Sequence, residues 1–176
     1  IDGFDIRQLD APDLRQKIAY VPKTPHFFSG TIIDNLRYAN PLASEDEILA
    51  ALALADAKDD ILDMPDGLKT EIGNCDATVL STSLASRMSL ARAYIHSASV
   101  LLIDELPNTL LSGQTGKNLK AYIERVKGKR TIIMCTDRKD FMQLADQIVW
   151  LRGQDKPLSG EQKTMIKTIN AEKVAA

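Results

Sequence analysis

Val100-Leu101-Leu102-Ile103 runs straight into Asp104-Glu105. Four apolar residues without alternation describe a strand covered on both faces, as in parallel sheets flanked by helices. Ile18 to Val21, closed by Pro22, and Thr131 to Cys135 repeat the pattern of a short buried run. Gln147 to Leu151 reads as a last strand. Helical spacing fills the gaps: Leu84, Met88, Ala91 and Ile95 mark one inner face, and Leu119, Tyr122, Ile123 and Val126 another, with Gly128 as its cap. A short helix is expected at Phe141 to Leu144. Strand, helix, strand, helix, strand implies an α/β chain whose four strands share one mostly parallel sheet with right-handed crossovers.

A second region breaks this rhythm. Thr31 to Tyr38 predicts a short helix ended by Pro41, and Ser44-Glu45-Asp46-Glu47 is a capping box at the start of the next. Ile48, Leu52 and Ala55 then share a face, and a further helix, roughly Asp56 to Met64, stops at the turn Pro65-Asp66-Gly67. Residues from about 24 to 83 are therefore expected to form a helical lobe. The 176 residues, 44% apolar, suffice for one compact domain. A net charge of −2 argues against a nucleic-acid binder, which needs a basic face. The longest apolar run, Ile48 to Ala55, falls far short of the roughly 20 residues of a membrane span. Cys75 and Cys135 have no zinc-type spacing and read as small core or surface residues.

Acids at the carboxyl end of a buried parallel strand stand where open α/β sheets bind ligands. Asp104 suits Mg²⁺, and Glu105 suits orienting or deprotonating a water. Taken alone the pattern is weak, because many strands end in solvated acids. His26 and His96 have no partner at useful spacing and read as solvated or packing residues. Arg87 and Arg92 read as structural, holding carboxylates or helix ends.

Order adds what single motifs lack. Gly30-Thr31-Ile32 with Asn35-Leu36 comes first, then Pro65-Asp66-Gly67-Leu68-Lys69-Thr70-Glu71-Ile72-Gly73, then Ser89-Leu90-Ala91-Arg92-Ala93, then the strand ending in Asp104-Glu105. This series closely resembles the ATP-binding cassette domain of ABC exporters, the type fused to a transmembrane domain. Ile1-Asp2-Gly3-Phe4-Asp5-Ile6-Arg7 is similar to the stretch after that family's phosphate-binding helix. The resemblance spans residues 1 to about 153, as a partial cassette, with 154–176 left as a C-terminal helical tail. It implies a P-loop NTPase-like fold with an inserted helical subdomain. It also implies ATP and Mg²⁺ as cofactors, a second cassette in a head-to-tail dimer, a transmembrane partner, and a place at the cytoplasmic face of the membrane.

Residue by residue, the resemblance is uneven. Asp104 and Glu105 match the Walker B aspartate and the catalytic glutamate. Lys23, in Val21-Pro22-Lys23, stands where a glutamine senses Mg²⁺ and water. Leu80-Ser81-Thr82-Ser83-Leu84 takes the place of the signature L-S-G-G-Q and keeps only its Leu and Ser. Leu111 replaces the aspartate of the D-loop, and Asp137 replaces the switch histidine. Thr82 and Ser83 each add a Cβ where glycine permits close approach, and Asp137 would set a carboxylate against the γ-phosphate. No G-x-x-x-x-G-K-[ST] occurs in the 176 residues; Gly116-Lys117 is followed by Asn118 and lacks the earlier glycine. The phosphate cradle is therefore expected before Ile1, in a longer protein, or lost from a truncated gene. Leu158-Ser159-Gly160-Glu161-Gln162 imitates a signature but follows the last strand, and Ser159 with Gln162 suggests a capping box for a C-terminal helix. Three functions compete: an export ATPase, degenerate and weakly active; a non-hydrolysing cassette that supports an active partner; and an unrelated α/β enzyme using Asp104 and Glu105 with a metal. Motif order counts against the third.

Overall fold

The structure, a computed structural model, describes residues 3, 5–73, 79–153 and 155–175. Cys75 and the opening residues Ile1, Asp2 and Phe4 lie outside the described residues. The chain divides into two compact units, Ile1–Cys135 and Thr136–Ala176.

In the first unit, a 3₁₀ turn at Ile6–Gln8 and helix α1 (Ala11–Gln16) lead into strand β1 (Ile18–Val21). A two-residue strand β2 (Gly30–Thr31) opens helix α2 (Ile32–Arg37), followed by α3 (Glu45–Leu54) and α4 (Lys58–Leu62). The expected cap is present, Ser44 and Glu47 forming the reciprocal box at α3, and Thr31 with Asp34 forms a second at α2, beyond the one expected. After a 3₁₀ turn at Gly67–Lys69, strand β3 (Glu71–Ile72) pairs antiparallel with β2, a small ribbon that the sequence pattern does not announce. Helix α5 (Thr82–Ile95), strand β4 (Val100–Ile103), α6 (Asn108–Ser112), α7 (Gln114–Val126) and strand β5 (Thr131–Met134) complete the unit.

Strands β1, β4 and β5 form one parallel sheet in that order, with β4 central. Parallel neighbours need crossovers, here the helical lobe from β1 to β4 and α6 with α7 from β4 to β5. The core gathers Val21, Leu101 and Ile103 from the sheet, Ile48 and Leu52 from α3, Met88 and Leu90 from α5, and Leu119 from α7, each 2% exposed or less. Leu84 and Ala91 are buried as their spacing implies, while Ile95 is half-buried. Gly128, just past α7, takes φ +77°, the left-handed conformation expected of a helix-ending glycine.

Three expectations need correction. Strand β5 is not buried throughout: Ile133 is 56% exposed, and Cys135 is exposed. The last strand does not join the parallel sheet. In the second unit, after helix α8 (Lys139–Met142), β6 (Gln147–Arg152) pairs antiparallel with β7 (Asp155–Glu161) as a hairpin with a bulge between Trp150 and Arg152. A parallel partner needs a crossover helix, whereas the chain reverses at once through Gly153, φ +59°. Leu158 to Glu161 consequently lie in a strand, so Ser159 does not cap a helix and the stretch after 154 is not wholly helical. Helix α9 (Gln162–Ala175) begins one residue later and packs on the hairpin, with Met165 and Ile169 buried.

Candidate functional site

The parallel pairing of β1 with β4 builds the site. Ile18 lies beside Val100 and Val21 beside Ile103, and the Asp104 amide continues the ladder by donating to the Val21 carbonyl at 2.9 Å. One step further, the same register sets Lys23 beside Glu105. The Lys23 Nζ donates to Glu105 Oε2 at 2.6 Å, with both side chains about two-thirds exposed. Asp104 Oδ1 accepts the Glu105 amide at 2.8 Å, and the Tyr20 hydroxyl donates to Asp104 Oδ2 at 3.4 Å. Glu105, first through its hydrogen bond and then through its charge, holds the Lys23 ammonium above its ordinary pKa. Partial burial, then the Asp104 charge, raises the Tyr20 phenol. Opposite charges 82 positions apart give no sequence signal; only the register joins them.

Ser81 caps α5, its Oγ accepting the Leu84 amide at 3.2 Å. Ser81, Thr82 and Ser83 are exposed. The first amides of a helix have no intrahelical acceptor, so those of Thr82 and Ser83 face outward at the positive end of a 14-residue helix. An anion is attracted to such an end.

The loop before α2 is held by residues that the sequence marks only as structural. Asn35 is fully buried; its amide donates to the Phe28 and Thr31 carbonyls, and its Oδ1 accepts the Phe28 amide. Arg92, on α5, donates to the carbonyls of Asn35 and His26 and to Asn35 Oδ1 at 2.7–2.9 Å, and lies 4.3 Å from the Phe27 ring centroid. Burial pushes its guanidinium down to about 10. Arg87 pairs with Asp60 at 2.5 Å and donates to the Asp56 carbonyl just past α3. Both arginines thus hold helix ends and a carboxylate, as their positions suggest. Phe28 is 43% exposed, edge-on to the 78% exposed Tyr38.

Two substituted positions differ in setting. Leu111 is buried in α6 at 3% exposure and serves the core. Asp137, in the second unit, is exposed in the turn before α8, and its charge helps hold the neighbouring Arg138 guanidinium protonated, behind the larger effect of the Arg138–Asp140 pair. A cavity of about 570 Å³ between α3, α5 and α7 is lined by Tyr94, Asn118, Tyr122 and Arg125 and includes none of the candidate residues.

A parallel sheet with an acidic pair at the carboxyl end of its central strand, and an inserted helical stretch before it, defines an α/β class that binds its ligands at that end of the sheet. The family model for ABC transporters matches residues 1–108. The chain belongs to the ABC transporter family. It is 36% identical over 148 residues to ABC transporter B family member 4 of Dictyostelium discoideum, covering 84% of this chain and 19% of that protein. Over 166 residues it is 32% identical to the uncharacterized ABC transporter ATP-binding protein y4gM of Sinorhizobium fredii, covering 94% and 28%. It is 37% identical over 150 residues to the lactococcin-A transport/processing ATP-binding protein LcnC of Lactococcus lactis, covering 85% and 20%. The chain thus spans less than a third of the length of each of these relatives.

Membership implies ATP binding, with Mg²⁺ typical of the family. The α5 terminus presents unpaired amides of the kind that attract an anion. The acidic pair, as placed, is not open to Mg²⁺: an ammonium holds one carboxylate oxygen of Glu105, and both oxygens of Asp104 accept hydrogen bonds. Among the described residues no group of three or more His, Cys, Asp or Glu could hold a metal ion.

Proposed function

We propose that this chain is part of the nucleotide-binding cassette of an exporter of the ABC type, coupling ATP binding to the movement of a fused or separate transmembrane domain, and that its own contribution to hydrolysis is weak. The cassette comprises residues 1–153, with 24–83 as its helical subdomain and 154–176 as an appendage. It works at the cytoplasmic face of the membrane in a head-to-tail dimer with a second cassette. No helix among the described residues is long and apolar enough to cross a membrane. The exposed Phe28 and Tyr38, on a loop fixed by Asn35 and Arg92, offer an apolar contact to the transmembrane domain.

The observation that carries the reading is the α5 terminus. Ser81 satisfies the Leu84 amide and leaves those of Thr82 and Ser83 pointing out. In the dimer they meet the γ-phosphate held by the partner cassette, and their hydroxyls add donors where glycine would have offered only backbone. Asp104 and Glu105 face this chain's own nucleotide, Lys23 beside them. By its place in the sequence Asp137 stands at the switch-histidine position, where a carboxylate repels a γ-phosphate instead of donating to it. The Lys23–Glu105 pair and the buried Leu111 favour the stronger form of the proposal, a cassette that binds without hydrolysing and supports an active partner.

Thr82→Asp in the complete transporter sets a carboxylate at the phosphate-facing end of α5. ATP-dependent closure of the two cassettes, read as a spin-label distance, should then require at least tenfold more ATP, while Thr82→Ser behaves like the parent. Unchanged closure by Thr82→Asp would overturn the proposal.

A further inference from the structure

We infer that Lys23 is a tethered cation that occupies the acidic pair in place of a divalent metal, so that Asp104 and Glu105 take up such a metal only weakly. The inference rests on the cassette reading and concerns the regulation of that same site. Its basis is the β1–β4 register, which carries Lys23 past Val21 to the level of Glu105 and closes a 2.6 Å ion pair. At that distance no water or metal ion fits between the ammonium and Glu105 Oε2. Tyr20, from the same strand, donates to Asp104 Oδ2, and the Glu105 amide to Oδ1. Tyr20 of β1 and Lys23, two residues past its end, thus supply two donors to the acidic pair.

The charges agree with the geometry. Asp104 and Glu105 together carry −2, and Lys23 reduces the local sum to −1, half the attraction that an arriving dication would find with a neutral side chain at position 23. The ammonium cannot donate a lone pair, so it competes for the carboxylates without ever joining a metal's coordination shell. The pair is exposed, so it is not a large contributor to stability. Its consequence is occupancy: a carboxylate bound to an ammonium is not offered to a metal or to an attacking water.

The test is a Mn²⁺ titration of the 176-residue chain, followed by paramagnetic broadening of the Ile103 to Leu106 amide resonances. Lys23→Gln should reach half-broadening at a Mn²⁺ concentration at least tenfold below that of the parent. Lys23→Arg, which keeps the charge, should behave as the parent does. Adding Glu105→Gln to Lys23→Gln should remove most of the gain. Equal midpoints for the parent and Lys23→Gln, or a gain in Lys23→Arg matching that in Lys23→Gln, would overturn the inference. Neither outcome bears on the closure measured with Thr82→Asp, which involves no metal ligand, so the two readings fail separately.

Discussion

Arg92 ties helix α5 to the loop before α2 through three acceptors, two of them main-chain carbonyls. A buried carbonyl without a donor costs more than the bond itself contributes, which gives the arginine at that position a structural role. His96 sits at the other end of the same helix with Nδ1 buried and no partner for it among the described residues. Burial first, then the Arg130 charge, lowers its pKa. The unfolded chain takes up this proton near pH 6.5, the folded chain only at lower pH. Stability from this group is therefore full above about pH 6.5 and declines as pH falls below it. Urea unfolding at pH 7.5 and 5.5 should show a drop that His96→Asn reduces; an equal drop in the variant would remove His96 from the account. Arg92 reads as structural from its place on the helix, and His96, with no partner at catalytic spacing, as a solvated or packing residue. Lys23 was different, because its meeting with Glu105 depends on strand register and not on any local pattern.

At the level of elements, periodicity and caps carried most of the information. The capping box at Ser44, the inner faces of α5 and α7, and the apolar run of β4 are local signals, and the structure places each element close to its expected range. The hairpin β6–β7 escaped because Gln147 to Leu151 alone does not reveal whether its partner is parallel or antiparallel; Gly153 was the available hint. Gly116 shows the opposite error of emphasis. As part of Gly116-Lys117 it fails a phosphate-loop pattern, yet its lack of a side chain is structural. A Cβ there would lie 1.9 Å from the Leu111 carbonyl oxygen, so α6 and α7 can meet closely only with glycine. Gly116→Ala should cost about 3 kcal/mol through overpacking, measured by chemical denaturation, and a loss below about 0.5 kcal/mol would show that the two helices separate freely.

For the whole molecule, the family was legible because motif order survives even where individual motif residues do not. The central sheet, the helical lobe and the acidic pair follow from that order, whereas the division at residue 135 and the composition of the second unit do not. On the proposed function, this cassette belongs to an exporter, and its substituted loops, not its fold, limit hydrolysis. Steady-state phosphate release from the complete, membrane-reconstituted transporter tests it most directly. The variant carries Lys23→Gln, Thr82→Gly, Ser83→Gly and Asp137→His, which free Glu105, let the α5 backbone approach phosphate, and replace a repelling carboxylate with a donor. The account predicts release at least tenfold faster than the parent, about 1.4 kcal/mol of barrier, and return to the parent rate when Glu105→Gln is added. Release no faster than that of the parent would contradict it.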